Sequence, residues 1–109
     1  MKKENIIKKN LEFQKIIGSK KQLINKFLIF YYVEFDGFEV GISIPRKFAN
    51  AVKRNLIKRQ IKWIIKSFVD YKKIKNKIVL IVRKDFIDLS IEEKKEEIIK
   101  MFNKFNSRQ

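Results

Sequence analysis

The chain has 109 residues, of which 45% are hydrophobic and 13% aromatic, so it can form the core of one domain and is not a disordered basic tail. Lysine and arginine number 27 against 12 acidic residues, a formal net charge of +15 that indicates a polyanionic partner. Because cysteine and histidine are both absent, disulfides, a structural zinc site and Ser/His/Asp or Cys/His nucleophiles are excluded. We therefore expect one domain over residues 1–109 that binds nucleic acid, with an anionic membrane surface as the second candidate.

The sequence gives no sign of membrane insertion or export. It contains no run of about 18 apolar residues, the length that crosses a bilayer. The charged segment 1–9 has no long apolar stretch behind it and does not resemble a signal peptide. We expect a cytoplasmic protein.

A short helix and an aromatic strand are predicted first. Asn10 is a candidate cap and Gly18 a stop signal. Between them apolar residues recur at helical spacing: Leu11, Phe13 (or Gln14) and Ile17. The run 27–33 is rich in aromatic and β-branched residues and predicts a strand.

A second strand is predicted at 38–44. The pair Asp36-Gly37 between the two runs predicts a hairpin. Alternation places three apolar residues on one face: Val40, Ile42 and Ile44. On the other face Gly41 and Ser43 are small and leave space for something to lie against the strand.

A long basic helix is predicted after Pro45, from a cap at Asn50 to about Tyr71. At about 100° per residue, one sector of this helix is basic or polar: Arg54, Asn55, Lys58, Arg59, Lys62 and Lys66. The adjacent sector is apolar: Ile57, Ile61, Ile64 and Phe68. We expect the apolar stripe to lie on the sheet and the basic stripe to face outward.

The last predicted elements are a buried strand and a final helix. The apolar run 78–82 predicts a strand buried on both faces, and the preceding crossover helix predicts that it is parallel to strand 38–44. Ser90 and Glu93 form a capping box for a helix with the apolar face Ile91, Ile98, Met101, Phe102 and Phe105. The predicted order is α-β-β-α-β-α, an α/β sandwich.

The basic helix belongs to a segment without acids. From Val40 to Val69 there are eight lysines and arginines and no aspartate or glutamate. A solvated face normally mixes signs, whereas Arg54, Lys58 and Lys62 repeat like charge at i,i+4, at a cost of about a few tenths of a kcal/mol per pair. A polyanion that offsets this repulsion is the favoured interpretation, and a merely solvated face is the alternative.

Residues 46–62 resemble the RNR signature of the bacterial ribonuclease P protein subunit, which reads roughly Lys-Lys-x-Gly-x-Ala-Val-x-Arg-Asn-x-x-Lys-Arg-x-x-Arg. The matching residues are Lys47, Ala51, Val52, Arg54, Asn55, Lys58 and Arg59. Its first lysine corresponds to Arg46 or Lys47, depending on the alignment, and Ala49 and Lys62 replace its glycine and its last arginine. Three further segments are similar to the family's opening helix, middle strand and late strand: Lys8-Lys9-Asn10 with Glu12-Phe13, Val40–Ile44 and Ile81–Lys84.

The resemblance implies a subunit of the ribonucleoprotein endonuclease that removes the 5′ leader of precursor tRNA. Its partners would be the catalytic RNA and precursor tRNA, with no required protein partner and no membrane. The RNA subunit would perform the hydrolysis with Mg²⁺, and the protein would provide no catalytic residue and hold no cofactor tightly. The implied fold is an α/β sandwich with a left-handed β-α-β crossover, similar to a small-subunit ribosomal protein domain. The general rule for such crossovers predicts the opposite hand.

The resemblance further implies that the basic helix and the turn before it bind the catalytic RNA. The candidate residues are Arg46, Lys47, Lys53, Arg54, Asn55, Lys58, Arg59 and Lys62. Arg54 and Arg59 suit bidentate phosphate contacts. For Asn55 two interpretations stay open, a contact with RNA or a hydrogen bond to the backbone or to a neighbouring strand.

A second surface, the sheet face against the first helix, would bind the single-stranded leader. The candidate residues are Phe13, Lys15, Ile17, Phe30, Ser43 and Arg83. Single strands bind by stacking on aromatic side chains in a positive groove, a role that suits Phe13, Phe30 and also Tyr32. The alternative is that Phe13 and Phe30 are core residues. Ile17 stands where the family has a second aromatic residue.

The remaining features receive structural interpretations. Trp63, the only tryptophan, is predicted as a partly buried packing residue rather than a platform for nucleic acid. The glutamates at 92, 93, 96 and 97 suit the start of a helix better than a catalytic carboxylate pair. The rival function is a structural RNA-binding protein of ribosomal type, while a stand-alone nuclease and a membrane-surface protein are weaker alternatives.

Overall fold

The computed structural model describes residues 5–7 and 10–108, so the predictions for Lys8 and Lys9 lie outside the described residues. The strands are β1 (Gln22–Ile24), β2 (Leu28–Glu34), β3 (Glu39–Ser43) and β4 (Asn76–Val82). The helices are α1 (Asn10–Gly18), α2 (Ala51–Phe68), α3 (Lys84–Ile87) and α4 (Ile91–Ser107). None of the helices in these ranges is long and apolar enough to cross a bilayer.

The four strands form one sheet in the order β1-β2-β4-β3. Strand β4 is antiparallel to β2, with Phe30 opposite Leu80, and parallel to β3, with Val40 opposite Ile78. The predicted parallel pairing of β3 and β4 is therefore confirmed. The predicted hairpin at Asp36-Gly37 is wrong, because β4 lies between β2 and β3. The continuous apolar run of β4 explains this arrangement, since only a central position covers both of its faces and both of its edges.

The hairpin in the sheet joins β1 to β2 instead. Strand β1 has only three residues, too few to show an alternating pattern, and it was not predicted. The side-chain oxygen of Asn25 accepts hydrogen bonds from the backbone N–H groups of Phe27 and Leu28, both at 2.8 Å. This side chain thereby replaces backbone partners in the turn and fixes the entry into β2.

The main core lies between one face of the sheet and the helices α2 and α4. Phe30 is fully buried there, with its ring centroid 4.9 Å from that of Phe102 in an edge-to-face contact. The predicted apolar stripe of α2 packs on the same face: Ile57, Ile61 and Ile64. Two expected core residues are exposed instead: Phe68, the last residue of α2, and Ile91, the first residue of α4.

Local capping signals set the starts of the two long helices as predicted. The side chain of Asn50 accepts the N–H of Lys53 at 2.9 Å at the start of α2. At the start of α4, Ser90 and Glu93 each accept the other's backbone N–H, the two bonds of a capping box. Helix α2 ends at Phe68, three residues earlier than expected, and α3 is an additional short helix that the sequence did not predict.

Helix α1 covers part of the opposite face of the sheet. Ile16 packs there with Ile7 and Val79 in a smaller apolar cluster that also includes Phe13 and Ile17. The sheet is thus enclosed by α1 on one side and by α2 and α4 on the other, the predicted α/β sandwich. This division separates an outer surface on α2 from a partly open surface beside α1.

Candidate nucleic-acid interface

The outward side of α2 is a continuous basic surface. Five side chains line a shallow groove along it: Val52, Asn55, Lys58, Arg59 and Lys62. Because the whole segment 40–69 lacks acids, no carboxylate of α2 neutralises these charges. The helix therefore presents the cationic surface that its sequence predicted.

The structure contradicts one of the two interpretations of Asn55. The residue is exposed on the outer side of α2, away from the sheet. Its side chain makes no hydrogen bond to any residue that the structure describes. The interpretation in which Asn55 bonds to a neighbouring strand is therefore wrong, and its amide is available to a partner.

A second groove joins the basic helix to the α1 side of the sheet. It is lined by Asn10, Phe13, Ile42, Ser43, Ile44, Pro45, Arg46, Arg54 and Lys58. One guanidinium nitrogen of Arg54 donates to the carbonyl of Ala49 at 2.8 Å, so the side chain is held in this groove. Arg54 and Lys58 thus belong to both predicted surfaces, which are continuous at this point.

Lys53 and Lys47 are placed apart from the groove residues. The ammonium of Lys53 lies 3.5 Å from the carboxylate of Asp88, on the side of α2 that faces α3 and α4. The exposed Lys47 lies in the single helical turn 46–48 that precedes α2, with its ammonium 5.2 Å from the ring centroid of Phe48. The basic residues therefore surround the start of α2 rather than forming one line.

The α1 face of the sheet carries three of the residues predicted to hold a single strand: Phe13, Ile17 and Ser43. One row of residues crosses all four strands in register and is only partly covered: Ile24, Ile29, Ile81 and Ser43. Beside this row the ring of Phe13 lies against Gly41, so closely that a Cβ atom at Gly41 would lie 2.4 Å from Cζ of Phe13. The space above Gly41 on the small face of β3 is therefore filled by an α1 side chain.

The assignment of Phe30 to this surface is wrong. Residue parity and register turn Phe30 toward α4, where it has no exposed surface and contacts Phe102 and Phe105. Tyr32 points the same way, with its ring centroid 4.9 Å from that of Phe105. The aromatic residue of β2 on the α1 face is Tyr31, which is half-buried beside Ile17 and which sequence reasoning missed.

The other predicted leader residues lie around this face. Ile17 is half-buried in the small apolar cluster, whereas Lys15 is exposed on the outer side of α1. Arg83 follows β4 and donates to the carbonyl of Asn25 at 2.7 Å, at the turn between β1 and β2. The two charges therefore lie at the rim of the surface and not within it.

An ion-pair cluster that the sequence did not signal ties α1 to the sheet. The ammonium of Lys77 on β4 donates to a carboxylate oxygen of Glu12 on α1 and lies 3.8 Å from the carboxylate of Glu39 on β3. The hydrogen bond to Glu12 is the main reason that the pKa of Lys77 is raised above its usual value. The cluster joins three elements at the end of the α1 face opposite Ser43.

Three of the four glutamates of α4 have structural partners. Glu93 belongs to the capping box, and its hydrogen bonds with Ser90 lower the pKa of its carboxyl group. Glu92 pairs with Lys95 at 3.0 Å and Glu97 with Lys100 at 3.6 Å. Within residues 5–7 and 10–108, no three His, Cys, Asp or Glu side chains form a group that could hold a metal ion.

The fold and the basic helix define a small nucleic-acid-binding α/β protein, and comparison with known proteins identifies its family. The family model described as Ribonuclease P matches residues 1–106. The ribonuclease P protein component of Mycoplasmopsis pulmonis (strain UAB CTIP) is 53% identical over 107 residues, covering 98% of this chain and 96% of its own length. The chain belongs to the ribonuclease P protein family.

Solved structures agree with this assignment. The RNase P protein of Staphylococcus aureus superposes with a TM-score of 0.82 at 28% identity, covering 91% of this chain and 93% of that chain. The RNase P protein from Thermotoga maritima superposes with a TM-score of 0.74 at 24% identity, over 82% and 86% of the two chains, and supports the fold alone. The chain is thus a protein component of ribonuclease P, the endoribonuclease that processes tRNA 5′ ends, and its partner is the RNase P RNA.

Proposed function

We propose that the two surfaces divide the work of this component: α2 binds the RNase P RNA, and the α1 face of the sheet binds the 5′ leader of precursor tRNA. The observation that carries the proposal is the acid-free basic surface of α2, continuous at Arg54 and Lys58 with a sheet face that α1 leaves partly open. Phosphates need cationic donors, and single strands need a flat apolar or aromatic surface beside them.

The RNA-subunit contact uses two kinds of cation. The planar guanidinium of Arg59 is exposed and suits a bidentate contact with a phosphate, while Lys58 and Lys62 act as point charges. Arg54 keeps one nitrogen on the carbonyl of Ala49 and points the rest of its guanidinium into the groove shared with α1. The phosphates of the bound RNA would offset the like-charge repulsion between these cations along α2.

The leader contact uses shape more than charge. A flat row crosses the sheet through Ile24, Ile29, Ile81 and Ser43. Because the side chain of Ser43 is small, a nucleotide backbone can approach β3 closely. Phe13 borders this row and shares the junction groove, where a base can stack on its ring. Arg83 at the rim supplies a positive charge for the phosphates.

We further propose that phosphodiester hydrolysis takes place on the RNA subunit with Mg²⁺ bound there. The chain has no histidine or cysteine, and the carboxylates at the start of α4 serve in a cap and in ion pairs. The acids of the α1 face, Glu12 and Glu39, are engaged by Lys77. This distribution supports binding and orientation as the role of the protein.

The test is cleavage of precursor tRNA by RNase P RNA, with and without the protein, at low and high Mg²⁺. We expect the protein alone to be inactive. The RNA alone should need high Mg²⁺, because without the protein only cations from solution neutralise the phosphates where this RNA contacts the substrate. At low Mg²⁺ the protein should restore cleavage. Cleavage by the protein alone, or no effect of the protein at either concentration, would contradict the proposal.

A further inference from the structure

Two aromatic side chains on the outer part of α2 remain unused by the core and by the surfaces above. Trp63 is 48% exposed and Phe68 is 45% exposed, although both are large apolar residues. Their ring centroids are 5.4 Å apart with the planes at 87°, an edge-to-face pair. Such a pair holds the indole in place while leaving nearly half of its surface to solvent.

The surroundings of this pair are cationic. Arg59 lies one helical turn before Trp63 and Lys66 one turn after it, so both lie on the same side of α2. The ammonium of Lys95 on α4 lies 4.9 Å from the ring centroid of Phe68 and also forms an ion pair with Glu92 at 3.0 Å. The indole is thus a flat apolar surface between two cations of an acid-free helix.

We propose that Trp63 stacks on an unpaired nucleobase of the RNase P RNA, with Phe68 supporting the indole and with Arg59 and Lys66 on the flanking phosphates. This inference rests on the proposed function, in which α2 binds that RNA. An aromatic ring with cations on either side is the arrangement that binds single-stranded nucleotides, because every base has a π-face. The contact extends the RNA-binding surface by about one helical turn beyond Lys62, to Lys66.

A second copy of the chain is a poorer occupant for the same place. A two-fold contact centred on Trp63 would bring the Arg59 and Lys66 side chains of two copies together, since such interfaces pair a surface with itself. Like charges that meet at an interface oppose association. RNA supplies the opposite charge at the same positions.

The single tryptophan makes the test direct, because all indole fluorescence of the protein comes from Trp63. In a titration of the full-length protein with RNase P RNA, we expect its emission to be quenched over the same concentration range as binding measured by filter retention. Trp63→Leu should weaken RNA binding roughly 5- to 150-fold, the equivalent of one lost stacked base. Trp63→Phe should recover most of that loss, because it keeps a ring.

Leu11→Gln is the control, since it removes an exposed apolar side chain from α1, away from α2, and should leave RNA affinity unchanged. Saturated RNA binding with unchanged emission, or wild-type affinity of Trp63→Leu, would overturn the inference and leave the proposed function standing. If the wild-type protein does not bind the RNA, the proposed function itself fails. An RNA-free dimer seen by sedimentation equilibrium and abolished in Trp63→Leu would assign the surface to a second copy and overturn the inference.

Discussion

At the scale of single residues, the contact between Gly41 and Phe13 sets how closely α1 approaches the sheet. A Cβ atom at Gly41 would lie 2.4 Å from Cζ of Phe13, so Gly41→Ala forces the ring or the helix to move. We expect a loss of about 1–3 kcal/mol in the free energy of unfolding, the usual cost of overpacking. Urea denaturation followed by circular dichroism measures it.

Gly18 provides the control for this substitution. A Cβ atom there meets nothing within 4 Å, and its φ is not positive. Gly18→Ala should therefore be neutral or stabilise by up to about 1 kcal/mol, because alanine restricts the unfolded chain. Equal stability of the two variants would show that Phe13 does not rest on Gly41.

Phe30 offers a second prediction at this scale. Because its ring is fully buried against Phe102, Phe30→Ala should cost about 3–5 kcal/mol of stability. Any loss of tRNA binding by the folded fraction should be the same for precursor and mature tRNA. Tyr31→Ala, on the opposite face, should instead reduce the preference for precursor tRNA. Melting curves and binding of the two tRNAs distinguish these results, and a selective loss in Phe30→Ala would contradict the structure.

At the scale of elements, the Lys77 cluster holds α1 over the sheet. Its hydrogen bond to Glu12 raises the pKa of Lys77, so the folded protein retains this proton more strongly than the unfolded chain. The stabilisation is complete below the unfolded pKa of about 10.4 and is lost as the pH rises through the higher folded pKa. Near neutral pH it is therefore fully present.

Lys77→Met should remove this stabilisation and weaken precursor tRNA binding, because α1 is then free to shift. RNA-subunit affinity should stay the same, since α2 packs on the other side of the sheet. The difference in stability between wild type and variant should shrink above about pH 10.4. Lys75→Met, at an exposed position nearby, is the control and should show no such difference. A pH-independent difference for Lys77→Met would mean that packing, not charge, holds the helix.

Elements with local signals could be predicted from the sequence, and long-range register could not. Asn50 and Ser90 mark the starts of their helices by side-chain caps, and the i,i+4 repeat of α2 indicates the basic surface within one helix. By contrast, the face on which Phe30 lies depends on how β2 pairs with β4, more than 40 residues later. The same non-local pairing places β4 between β2 and β3 and so prevents the hairpin that Asp36-Gly37 favours locally. The partners of Lys77, Glu12 and Glu39, lie far from it in the sequence, so the sequence alone does not indicate this cluster.

At the scale of the whole molecule, charge of the two signs is segregated. The segment 40–69 has eight cations and no acid, whereas six of the 12 acids lie between residues 85 and 97. The two regions meet at the ion pair of Lys53 with Asp88. A long-range field of this form would attract a polyanion toward α2 more than toward the start of α4.

This segregation predicts which cations release counterions when the RNase P RNA binds. Removing one phosphate contact lowers the slope of log K against log salt by about one. We expect this change for Arg59→Ala and Lys62→Gln, because both side chains line the groove of α2. Lys53→Gln should change the slope less, since Asp88 lies 3.5 Å away and already neutralises part of its charge. Lys104→Gln, exposed near the end of α4, should leave the slope unchanged.

Filter binding between about 50 and 200 mM salt measures all four variants. Equal changes for Lys62 and Lys104 would mean that the RNA responds to net charge alone, and the basic surface of α2 would then lose its special role.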